Sequence, residues 1–397
     1  MSNWLPLFAT LFIQAMVAMA LLTLPVMAPV AAKALEVSPA LVGVYVAITY
    51  AGAMFASLTS GTTVSRLGPI RVSQWGLVLC AAGLCLCAVP WLPAIGLGAL
   101  LIGLGYGPIT PASSQILART TPPEQMALVF SIKQTGVPVG AMMAGAIVPT
   151  LMMGIGWQWS LAVVALACLA SALLSQVMRE DLDDLRQANL PFQMGTLTSP
   201  LRMVLGHRAL TTMAACSFMF SMVQMSLTTY LVTYLHDDLT YGMVSAGLLL
   251  SVTQMGGIGG RIAWGMVADR WMGAQKTLAL LACLMATSAL ATALLLPVIP
   301  PWGVWGILLV FGASAIGWNG VYLAEVARQA PEGKASMATG GTLTFTFLGV
   351  VIGPPLFGAL SSAFGTYRAG FLALVVTSGL CAWVLYRLKP SAELVSE

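Results

Sequence analysis

Twelve stretches of this chain run for roughly twenty residues almost without charge, and that pattern leaves few folds open. A helix rising 1.5 Å per residue needs about 20 apolar residues to cross a bilayer. Six such runs fill the first half: Leu5–Val30, Pro39–Ser60, Val72–Val89, Pro93–Leu117, Gln125–Leu151 and Trp157–Val177. Six more fill the second: Leu210–Leu235, Tyr241–Val267, Thr277–Val298, Trp302–Arg328, Ala335–Phe364 and Arg368–Tyr386. Only 8% of residues are charged, too few to cover a water-facing surface. The expected fold is therefore an all-α membrane protein with twelve transmembrane helices. The expected organisation is an N-terminal six-helix bundle (1–178), a cytoplasmic linker (179–208) and a C-terminal six-helix bundle (209–397).

Charge distribution orients these helices. An even number of spans puts both termini on one side. Of the 17 Lys and Arg residues, all but Lys33, Arg368, Lys133 and Arg261 fall on the side of the termini. The positive-inside rule assigns that side to the cytoplasm, giving a multi-pass protein of the cell (cytoplasmic) membrane. The first run lacks a positive n-region and an evident cleavage site, so it reads as a retained helix. The seven cysteines lie in apolar runs and read as small buried hydrophobes. No basic cluster with interleaved aromatics points to nucleic acid. No metal-ligand cluster, phosphate loop or nucleophile–base pair is present, and His207 and His236 sit at helix ends. Neither an enzymatic activity nor a bound cofactor is expected, and the chain is expected to act as a monomer in the lipid bilayer.

The two halves repeat. Gly61-Thr62-Thr63-Val64-Ser65-Arg66 follows the second run, and Gly265-Met266-Val267-Ala268-Asp269-Arg270 follows the eighth. Leu117-Ala118-Arg119 with Pro122, and Val326-Ala327-Arg328 with Pro331, end the fourth and tenth. Internal repeats of this kind are common among secondary transporters. Six plus six helices with a Gly-x-x-x-Asp-Arg turn after helices 2 and 8 resemble the major facilitator superfamily over nearly the whole chain. Gly68 and Arg71 continue the motif in the first copy, Gly273 and Lys276 in the second with one residue inserted. The first copy departs in having Ser65 where the family prefers Asp. The resemblance implies two bundles related by a pseudo-two-fold axis and rocker-switch alternating access.

Ionisable groups at bilayer depth are costly and mark function. Lys133 lies about 12 Å in from the cytoplasmic end of helix 5, at 1.5 Å per residue. It is either a cation facing the cavity or a lysine satisfied by helix-end carbonyls or a polar neighbour. Arg261 lies at similar depth on helix 8. Its Arg-x-x-x-Gly pattern resembles the anion-binding arginine of monocarboxylate, oxalate and nitrate porters of the superfamily; the alternative is an ion pair with Asp269. The superfamily fold sets helices 5 and 8 facing each other, and two cations there would need an anion between them. Glu325 and Arg328 stand at i, i+3 and can pair. The resemblance gives them, with Arg66, Asp269 and Arg270, to an inner gate; a proton-carrier role for Glu325 is the alternative.

Uncharged polar and aromatic residues inside the runs are further candidates for substrate contact: Gln14, Tyr50, Gln134, Gln224, Gln254, Trp318, Asn319 and Tyr322. Each could equally serve interhelical hydrogen bonding or packing. The Gly349–Gly358 run reads as close helix packing. These residues together point to a transporter of a small organic anion, a mono- or dicarboxylate, with protons or a counter-transported anion as coupling partner. The alternative is a drug or amphiphile efflux pump, whose 23 methionines would line a pliable cavity.

Overall fold

The computed structural model describes residues 4–121, 126–183, 198–296, 298–331 and 335–387. Helices dominate, and no strand occurs among the described residues. Among the described residues, twelve helices are long and apolar enough to cross a membrane. Spans 1 to 6 are Trp4–Val26, Pro39–Ser57, Pro69–Cys87, Leu92–Leu117, Ile132–Ile155 and Trp157–Met178. Spans 7 to 12 are Arg208–Asp238, Met243–Met272, Ala274–Leu294, Pro301–Val326, Ala338–Phe364 and Tyr367–Arg387. The all-α, twelve-span fold expected from the apolar runs is the fold observed. Contacts divide the chain into two compact units. The first is Met1–Gly195 with Leu231–Ser251, and the second is Thr196–Tyr230 with Val252–Glu397.

Glycine sets how closely the helices approach, and it does so at matching places in each unit. In the first unit, a Cβ on Gly103 of span 4 would fall 1.9 Å from the Thr49 carbonyl oxygen of span 2. In the second, a Cβ on Gly312 of span 10 would fall 1.7 Å from the Thr253 carbonyl oxygen of span 8. Only a residue without a side chain allows these backbones to touch. The run in span 11 serves the same purpose. A Cβ on Gly349 would meet the Phe218 carbonyl oxygen at 2.2 Å, and Gly353 packs on Met222.

Among the described residues, three spans are broken inside the apolar zone. Span 4 runs as Leu92–Tyr106 and Ile109–Thr120, interrupted at Gly107-Pro108. The helix leading into span 5, Met126–Gln134, gives way at Thr135 to Gly136–Ile155. Pro138 lacks the N–H that would bond the Gln134 carbonyl, which explains the second break. Span 10 runs as Pro301–Gly317 and Asn319–Gln329, with Trp318 at the junction. Interrupted helices free backbone groups at membrane depth, tolerated only where protein or a cavity can satisfy them.

Candidate functional site

In the first unit the break in span 5 places Lys133. Its side chain is 1% exposed and stands in the last turn of Met126–Gln134. A cation there meets the negative end of a helix dipole, worth about 0.3–1 kcal/mol on a surface and more when buried. Gln14 of span 1 is fully buried against the same break. A Cβ on Gly136 would touch the Gln14 Cβ at 2.9 Å, so span 1 presses on span 5 one turn beyond Lys133. Thr110, just past the break in span 4, donates to Gln14 Oε1 at 3.1 Å. The Gln14 Nε2 group is buried and has no hydrogen-bond partner among the described residues. Gln134 is half-buried, and Tyr50 packs its ring on Tyr106 of span 4 at 5.9 Å between centroids.

In the second unit four of the candidates come together at the break in span 10. Gln224 Oε1 of span 7 accepts from Trp318 Nε1 at 2.9 Å and from Asn319 Nδ2 at 3.5 Å. The Trp318 ring sits 5.3 Å from Phe220 and 5.3 Å from Tyr322, edge to face with the latter. Trp318 and Tyr322 are each 1% exposed, so these rings pack against protein in this structure. Gln254 joins them at one remove: it donates to Thr228 Oγ1 at 3.3 Å, and that hydroxyl donates to the Gln224 main-chain carbonyl at 2.9 Å. Arg261 is half-buried, and its Nε donates to the Ile316 carbonyl at 3.2 Å, one turn before Gly320.

The charges of the candidate gate divide by burial. Glu325 is 1% exposed and holds Arg328 through Nη2 at 2.7 Å and Nε at 3.0 Å, the i, i+3 pairing expected. Gln329 adds a third donor at 2.5 Å. The Glu325 hydrogen bonds raise the Arg328 pKa above its already high ordinary value. Asp269 and Arg270 are exposed in Ala268–Met272, a widened turn closed by the Gly273 N–H on the Ala268 carbonyl at 3.0 Å. Arg66 is half-buried.

One residue escaped the sequence reading. Asp183, lying in an acidic stretch that reads as a polar linker, is 6% exposed. Its Oδ1 accepts from the Ile70 N–H at 2.8 Å and its Oδ2 from the Arg71 N–H at 3.0 Å, capping the first turn of span 3. Gly68, at φ +94°, makes room for it, because a Cβ there would lie 2.3 Å from the Asp183 Cγ. Arg179 approaches the same carboxylate at 3.8 Å, and Arg119 donates to the Leu182 carbonyl at 3.3 Å. Its only sequence signal is an acidic residue next to an apolar one, Leu182, where a linker begins.

Known proteins of similar sequence are transporters. The chain is 27% identical over 337 residues to an uncharacterized MFS-type transporter of Mycobacterium tuberculosis, covering 83% of this chain and 73% of the relative. It is 22% identical over 386 residues to the benzoate transport protein of Acinetobacter baylyi, covering 89% and 82%. It is 31% identical over 176 residues to human monocarboxylate transporter 11, covering 41% and 37%. Among solved structures, a nucleoside transporter matches the fold with a TM-score of 0.79 at 16% identity, covering 96% and 99%. A peptide transporter matches with a TM-score of 0.75 at 17% identity, covering 96% and 92%. The profile of the Major Facilitator Superfamily matches residues 7–349, and the chain belongs to that superfamily.

Proposed function

We propose that this multi-pass membrane transporter carries a small organic anion, a mono- or dicarboxylate, by rocker-switch alternating access. The observation that carries the reading is Lys133, a 1%-exposed cation at a helix break, on one of spans 1 to 6, which contain no Asp or Glu. Burying an ammonium group at membrane depth is expensive, and a carboxylate cargo would lower that cost. Arg261 contributes a second cation, one whose planar fork suits two carboxylate oxygens. Two of the relatives, a benzoate transport protein and a monocarboxylate transporter, are named for carboxylates, which supports this chemistry. Glu325, Arg328, Arg66, Asp269 and Arg270 serve the inner gate in this reading. Both termini face the cytoplasm, which labelling of single cysteines introduced into the loops tests directly.

The test is thermal stabilisation of the purified protein across a panel of mono- and dicarboxylates, with uptake measured in proteoliposomes. A charge-assisted contact worth about 1.5–3 kcal/mol corresponds to roughly a 10- to 150-fold loss of affinity. Lys133→Ala and Arg261→Ala are each expected to lose transport on that scale while still inserting and folding. Full transport by both variants, or export of hydrophobic cations with no response to any carboxylate, overturns the reading.

A further inference from the structure

Within the second unit, spans 8 and 10 touch backbone to backbone. A Cβ on Gly256 would fall 2.2 Å from the Leu309 carbonyl oxygen, and one on Gly260 2.4 Å from that of Ala313. This closeness lets two side chains of span 8 reach the main chain of span 10. Trp264 Nε1 donates to the Ala313 carbonyl at 2.8 Å, and Arg261 Nε donates to the Ile316 carbonyl at 3.2 Å. Donors three apart on one helix thus engage carbonyls three apart on the other. Span 10 breaks immediately afterwards, at Trp318, although no proline lies between Pro301 and Pro331. Side chains inserted into a helix's carbonyl ladder are an established cause of such kinks. Trp264 also fills the space beside Gly317, where a Cβ would meet its Cδ1 at 2.9 Å.

We infer that Trp264 is a positioning residue for Arg261. The inference rests on the reading of Arg261 as an anion-recognising cation. A guanidinium is planar, so committing its Nε–H to the Ile316 carbonyl fixes the plane of the whole group. That carbonyl is held in turn by Trp264, which ties down Ala313 one turn earlier on the same helix. The plane so fixed sets the orientation in which the guanidinium can meet a carboxylate. Two oxygens in one plane match a planar group so oriented, whereas a sulfonate, with three oxygens arranged around sulfur, does not depend on the plane to the same degree. Trp264 therefore acts on selectivity between planar and non-planar anions, through Arg261 and without touching the cargo.

The experiment compares Trp264→Phe, which removes the ring N–H and keeps an aromatic body, with Trp264→His, which keeps a ring N–H. Uptake is measured in proteoliposomes for a carboxylate and its sulfonate analogue, normalised to transporter abundance. Trp264→Phe is expected to raise the carboxylate KM about three- to tenfold, the scale of one net hydrogen bond. The carboxylate-over-sulfonate preference falls with it and recovers in Trp264→His. Combined with Arg261→Lys, which has no fork to orient, Trp264→Phe adds no further cost. An unchanged preference in Trp264→Phe, a preference in Trp264→His as low as in Trp264→Phe, or fully additive costs in the double variant overturns the positioning role. An Arg261→Lys variant with unaltered carboxylate KM instead sinks the anion reading itself, so the two failures are distinguishable.

Discussion

Replacing Asp183 with alanine removes a carboxylate that holds the start of span 3 from 113 positions away in sequence. Two main-chain N–H groups lose their acceptor, and Ile70, one of the two donors, is fully buried. Losing a helix N-cap costs about 0.5–2 kcal/mol, and a buried donor left without an acceptor about 1–3 kcal/mol. These overlap, because the same hydrogen bonds are counted in each, so the combined loss is roughly 2–3 kcal/mol. The Arg179 contact adds little, at 3.8 Å with a quarter of the arginine side chain exposed. At about 2–4 °C per kcal/mol for a unit of some 200 residues, Asp183→Ala lowers the apparent melting temperature by roughly 4–12 °C. Asp183→Asn keeps one acceptor oxygen and loses about half as much. The assay is thermal unfolding in detergent, followed by labelling of the buried cysteines as they become reactive. Trypsin provides the second readout, since cleavage after Arg179 accelerates once the segment Arg179–Asp183 is released from span 3. A melting temperature within 1 °C of the parent, together with unchanged cleavage, would refute the capping argument.

Lys133→Met replaces a buried cation with an apolar side chain of similar size, so thermal stability is expected to hold or rise while carboxylate uptake is lost; reduced stability in that variant would count against a functional charge. Gly312→Val forces a side chain into the contact with Thr253, where even a Cβ would lie 1.7 Å from the carbonyl oxygen, and is expected to abolish folded protein. Gly306→Ala on the same helix has open space around it and serves as the comparison, with monodisperse yield as the measure. Arg328→Ala is expected to destabilise more than Glu325→Gln, because it leaves the buried carboxylate without its arginine whereas the amide removes the charge itself; the two melting temperatures decide the order.

The spans were readable because lipid imposes one rule on every residue within them: a crossing segment must be long, apolar and helical. The break at Thr135 has a local cause, since Pro138 removes a particular hydrogen bond. The break at Trp318 was not readable in that way. The donors that engage the carbonyls before it, Arg261 and Trp264, come from another span, and no local pattern announces a side chain arriving from elsewhere. The same holds for Asp183, whose partners are two backbone amides in a distant turn. Gln224, Trp318, Asn319 and Tyr322 could be picked out as polar or aromatic residues within apolar runs. That Gln224 joins Trp318 and Asn319, and that Trp318 packs against Phe220 and Tyr322, follows only from the packing of spans 7 and 10.

The repeat shows which constraints bind backbone and which bind side chains. Thr49 with Gly103, and Thr253 with Gly312, are the same contact built twice, at matching distances from their signature turns and helix ends. A carbonyl pressed against a Cα tolerates glycine alone, so both copies retain it. The charged residues obey no such symmetry. Arg261 stands four residues before Gly265, and the corresponding place before Gly61 holds Ser57. Lys133 stands three residues before Gly136, and the corresponding place before Gly349 holds Thr346. Each unit thus keeps one of two equivalent positions as a cation and fills the other with a hydroxyl. If the cations served only to hold helices together, the matching backbone contacts would call for matching partners in both units. Moving the charges to Ser57→Arg and Thr346→Lys, with Arg261→Ser and Lys133→Thr, tests the point. Such a swapped protein is expected to fold, since the glycine contacts are intact, and to respond to carboxylates. Recovery of folding without any response would show that the scaffold's symmetry does not extend to recognition.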